Sequence, residues 1–68
     1  MTTILNVPRK IEPTGHMRVR ERRDQIHALI DSARAGHRTL ITVTRIDGKV
    51  TRPFDVKWAL INGIEEGR

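Results

Sequence analysis

The stretch from Thr39 to Val56 constrains the fold more than any other. It reads Thr-Leu-Ile-Thr-Val-Thr-Arg-Ile, then Asp47-Gly48, then Lys-Val-Thr-Arg-Pro-Phe-Asp-Val. Two runs rich in β-branched residues around an Asp-Gly pair are the strongest short-range signal for a β-hairpin. Gly48 accepts a positive φ without steric cost, and Asp47 tolerates it better than most residues, so a type I′ turn centred on the pair is expected. That turn pairs Ile46 with Lys49, Val43 with Arg52 and Ile41 with Phe54. Alternation then places Ile41, Val43, Val50, Phe54 and Val56 on one face, with Arg45 and Arg52 near the tip. The other face carries Thr42, Thr44, Lys49, Thr51 and Asp55, with Leu40 and Ile46 as exceptions. Pro53 has no N–H to give to a ladder, which puts the second strand at a sheet edge.

Upstream, residues 16–35 read as a helix. Val19, Arg22, Ile26, Leu29, Ile30 and Ala33 share one stripe at the 3.6-residue period, with Thr14 as N-cap and Gly36 as the stop. A second stripe gathers His16, Arg20, Arg23, His27 and Arg34. Residues 55–64 fit either a short helix through Ile61 or a third strand from the alternation of Val56, Trp58 and Leu60. Thr2 to Val7 fits a short strand, and Arg9 and Lys10 follow as a basic arm. The expected fold is α+β: one amphipathic helix packed on a small antiparallel sheet built around the hairpin. Residues 1–13 form an extended N-terminal arm or edge strand, 14–64 a single domain, and 65–68 a frayed C-terminus.

Sixty-eight residues hold one small core, and no cysteine is present to staple it. Such a core gains from a partner or an oligomer, and a homodimer, or a chain finished by another protein, is expected. No apolar run reaches membrane-spanning length and no signal-peptide layout opens the chain, so a cytoplasmic location with no membrane contact is expected.

Thirteen Lys and Arg against eight acids give a net charge of +5, and ten of the thirteen are Arg. Guanidinium forks match phosphate oxygens, and a basic balance is the electrostatic footprint of a polyanion partner. The reading is a small accessory or regulatory protein that contacts the phosphates of nucleic acid, duplex DNA above all. The candidate contacts are Arg20, Arg23 and Arg34 on the helix and Arg45, Lys49 and Arg52 on the hairpin. Two aromatics are too few for a base-stacking platform. The alternative is a modulator that docks on an acidic protein surface of a larger machine, such as RNA polymerase, through the hairpin edge and Trp58. No enzymatic activity, cofactor or metal is expected. There is no nucleophile elbow or Gly-rich phosphate loop, and the three His residues are eleven and ten positions apart.

The segment ALIDSARAGHRTLITVTRIDGKVTRPFDV, with the helix leading into it from Arg23, resembles the opening of the WYL domain, an Sm-like β-barrel module of bacterial regulators. Those domains open with a helix ending in Gly and Arg, then a hairpin leading to a Pro-aromatic turn. The likeness covers about half of the chain. The Trp-Tyr-Leu strand that names the family has no counterpart, Trp58-Ala59-Leu60 being the nearest. The resemblance implies transcriptional control responsive to a ligand or nucleic acid, with a dimer completing the sheet. It assigns no functional residue.

Overall fold

The computed structural model describes residues 2–67. Five strands and one helix follow in the order β1 (Thr3–Asn6), β2 (His16–Val19), α1 (Arg23–Ala35), β3 (Leu40–Asp47), β4 (Val50–Lys57) and β5 (Gly63–Glu66), with a 3₁₀ turn at Trp58–Leu60 before β5. The protein is α+β. All strand pairs are antiparallel, in the spatial order β4-β3-β2-β1-β5. Laid flat, five strands would hold β4 and β5 about 19 Å apart. The link from Lys57 to Gly63 includes a 3₁₀ turn and reaches only about 17 Å when straight. The sheet therefore cannot lie flat and curls. Backbone bonds from Trp58 N–H to Thr39 O (3.3 Å) and from Asn62 N–H to Asn6 O (2.7 Å) tie the link to both sides.

The core lies on the concave face. Leu5, Met17, Val19, Ile41, Val43 and Val56 point inward from the strands, Val7 joins them just after β1, and α1 adds Ile26 and Ala33. Leu29, Ile30, Phe54, Trp58, Ile61 and Ile64 pack against them, half-buried. The stripe Ile26, Leu29, Ile30 and Ala33 on α1 is the core face its spacing predicts.

The hairpin forms with a different register. Asp47 pairs with Val50, Arg45 with Arg52, Val43 with Phe54 and Ile41 with Val56. The two turn residues are Gly48 and Lys49, not Asp47 and Gly48. Gly48 has φ +62° and Lys49 is not left-handed, as a type II′ turn requires with Gly at its first central position. The shift along β4 is two residues, so every side chain keeps the face that alternation gave it. Asp47 then belongs to the strand, where its carboxylate meets the Arg52 guanidinium at 2.9 Å.

Residues 16–19 are a strand and not the start of the helix. The run His16-Met17-Arg18-Val19 alternates exposed and buried. Burying Met17 and Val19 between β1 and β3 is worth roughly 1.5–3 kcal/mol each, more than helix propensity supplies over the same residues. The helix starts after Arg22, whose N–H donates to Gln25 Oε1 at 2.8 Å. Thr14, expected as the cap, instead bonds His16 across the turn into β2. At the other end Gly36 follows the last helical residue, and His37 takes the left-handed conformation at φ 54°.

The first strand is interior, flanked by β2 and β5, rather than an arm or an edge. Residues 55–64, open between helix and strand, divide three ways: the end of β4, the 3₁₀ turn and the start of β5. Glu65 and Glu66, expected to fray, pair with Ile4 and Thr3. Arg68, the last residue of that expected tail, lies outside the described residues.

Candidate nucleic-acid interface

The carboxylates are largely engaged within the fold. Glu12 accepts from Arg45. Glu21 Oε1 accepts the Thr44 N–H at 2.7 Å, and its Oε2 accepts the Thr44 hydroxyl at 2.8 Å. Asp24 sits 3.6 Å from Arg22. Asp47 holds Arg52, Asp55 accepts from Thr42 at 2.6 Å, and Glu65 accepts from Asn6 at 3.0 Å. Most cations are not so engaged. Arg9, Lys10, Arg18, Arg20, Arg23, Arg34, Arg38, Lys49 and Lys57 are exposed and form no ion pair among the described residues. Among the described residues these nine cations stand against five carboxylates without a cationic partner, Glu21, Asp31, Asp55, Glu65 and Glu66, so the field outside the molecule is positive on balance.

The six candidate cations do not form one patch. Arg23 and Arg34 lie on one stripe of α1, about 16 Å apart along its axis. Arg20 is not on the helix. It follows β2, its N–H donating to Thr44 O at 2.9 Å. Arg18, two positions earlier, has the same exposed setting on β2. The alternation of residues 16–20 was the signal for this pair, masked because the segment also fits a helical stripe. Lys49 and Arg52 stand at the hairpin tip, Arg52 held by Asp47.

Arg45 belongs to the interior. Its side chain is 19% exposed, bonded to the 14% exposed side chain of Glu12, with Asp47 at 3.7 Å. Its guanidinium lies 5.5 Å from the centre of the Phe54 ring. It ties the β1–β2 loop to the inner face of the hairpin, so its charge is compensated before any ligand arrives.

Trp58 is half-buried against the core. Its indole N–H donates to Arg38 O at 2.8 Å, and Arg34 stands over its ring at 5.8 Å. With Phe54 under Arg45, neither aromatic is presented for stacking on a base. The β4 edge is interrupted. Asp47–Val50 closes the turn, so alternate residues of β4 from Val50 face β3, and Thr51, Pro53 and Asp55 face outward. Pro53 presents no donor at the middle of that edge.

A cleft of about 510 Å³ lies between the start of α1 and the ends of β1 and β5, lined by Thr2, Thr3, Arg22, Arg23, Asp24, His27 and Glu66. Among the described residues no three His, Cys, Asp or Glu converge as metal ligands, and no helix is long and apolar enough to cross a membrane. Comparison with protein-family models, curated proteins and solved structures finds no match.

Proposed function

We propose that this protein is a non-enzymatic, cytoplasmic nucleic-acid-binding accessory that tracks the phosphates of duplex DNA in a regulatory role. The observation that carries the reading is the excess of unpaired cations: among the described residues nine exposed Arg and Lys form no ion pair, against five carboxylates without a cationic partner. Arg18, Arg20, Arg23 and Arg34 supply contacts on the β2 and α1 side, Lys49 and Arg52 at the hairpin tip. The covered aromatics favour backbone contacts over readout of unstacked bases.

The test is a titration of labelled random duplex DNA and of single-stranded RNA at several salt concentrations, with Arg20→Glu and Lys49→Glu alongside the unaltered chain. Six phosphate contacts correspond to a slope of log K against log salt of about −5 for a duplex. The expected result is micromolar duplex binding with a slope near that value, weakened at least tenfold by the paired reversals. Salt-independent binding, or full affinity in the reversed variant, would refute the assignment.

A further inference from the structure

The two free edges of the sheet differ, and the difference defines a second site. Gly67 N–H donates to Thr2 O at 2.7 Å, which identifies residues 63, 65 and 67 as those turned toward β1. Ile64 and Glu66 therefore turn their N–H and C=O groups away from the sheet. Unlike the outer edge of β4, this edge contains no proline. It does not face open solvent either. The 510 Å³ cleft at the start of α1 and a second of about 230 Å³, lined by Ile30 and residues 61–64, share Arg23 and His27. The two clefts meet at Arg23 and His27 and form one groove between α1 and β5, beside the unpaired edge.

The groove is chemically graded. On α1, Arg23, His27 and Ile30 fall within about 60° of one another at the helical period. Arg23 and His27 line both halves, and Arg23 has no ion-pair partner among the described residues. Toward the 3₁₀ turn the lining becomes apolar, with Ile30, Ile61 and Ile64. Glu66 lines the same polar half as Arg23, where Arg22 is paired with Asp24 at 3.6 Å. From the midpoint of Arg23 and His27 to Ile30 is about 7 Å along the helix, close to the spacing of residues i and i+2 in a strand.

We infer that the α1–β5 groove binds an extended peptide segment of a partner protein, which adds as a sixth strand on β5 and places an acidic side chain against Arg23 and His27 and an apolar one, two residues away, against Ile30 and Ile64. Backbone bonds to Ile64 and Glu66 supply affinity, and the graded wall supplies selectivity. The edge bonds to Ile64 and Glu66 do not rest on the nucleic-acid reading, but Arg23 serves in both, so duplex DNA and the peptide compete there.

The probe is a nine-residue peptide of alternating valine and threonine with one central glutamate. Its controls carry a central lysine, or N-methyl groups on alternate backbone nitrogens. Amide spectra of the full chain should shift at Ile64, Glu66, Arg23 and His27 with the glutamate peptide, and exchange at the Ile64 and Glu66 amides should slow about tenfold. Glu66→Pro removes one outward donor and no bond to β1, and should weaken binding about fivefold or more, whereas Glu66→Gln should bind at least as tightly. Arg23→Glu should reverse the preference between the glutamate and lysine peptides. No binding at millimolar peptide, equal binding of the N-methylated peptide, or shifts confined to Thr51 and Asp55 would overturn the inference. Dimerisation through β5 without peptide would overturn it in favour of a second copy of the chain.

Discussion

Replacing Arg45 by Met separates structure from binding. The substitution keeps an apolar stem over Phe54 and removes the guanidinium that joins Glu12 to the hairpin. A charge-assisted hydrogen bond at a largely buried site contributes about 1.5–3 kcal/mol, and the ring contact about 0.5–1 kcal/mol. The sum is about 2–4 kcal/mol, with Glu12 left mostly buried without its partner. A chain of this length has a total stability of about 3–10 kcal/mol. Thermal unfolding followed by Trp58 fluorescence should therefore fall by about 10–30 °C while remaining cooperative. Glu12→Gln should cost less, because Arg45 keeps Asp47 at 3.7 Å. The double variant should show a coupling of about 1–2 kcal/mol. Below the melting point the Arg45→Met protein should retain the salt slope of DNA binding. An unchanged melting temperature with a slope reduced by about one would refute the reasoning and return Arg45 to the interface.

Glu21→Ala should destabilise by about 2–3 kcal/mol in denaturant titration, since it strips both carboxylate bonds from Thr44 where β3 runs past the end of β2. Gly48→Ala should cost about 1–2 kcal/mol purely through its φ of +62°, because no atom lies within 4 Å of the added methyl; an unchanged midpoint would contradict the type II′ turn. Arg18→Ala should leave stability within about 0.5 kcal/mol and reduce the magnitude of the DNA salt slope by about one, measured by anisotropy. Loss of stability without change in slope would place Arg18 in the fold.

The hairpin faces and the core stripe of α1 were legible in the sequence because alternation and the 3.6-residue period are local. The turn lies one residue later than the sequence predicts, because Asp-Gly and Gly-Lys are both acceptable turn pairs, and in the observed register Asp47 meets Arg52 across the ladder. The segment 16–22 is ambiguous in the sequence for a related reason. Met17 and Val19 alternate, yet Val19 also fits the helical stripe of Ile26, and only burial between β1 and β3 separates the two. Of the candidate cations, Arg45 was indistinguishable from Lys49 or Arg52 by sequence, since its partner Glu12 is 33 residues away. The α1–β5 groove had no sequence signal, because it depends on β5 pairing with a strand some sixty residues earlier.

That pairing has a mechanical consequence. Thr2 and Gly67 sit opposite each other at the same end of the antiparallel β1–β5 pair. Tension applied through the two ends of the chain therefore loads the first hydrogen bond of the ladder alone, then the next, and peels the strands apart in sequence. The force is never shared along the ladder as it would be in shear. Traction on a protein closed in this way starts its opening at the β1–β5 seam.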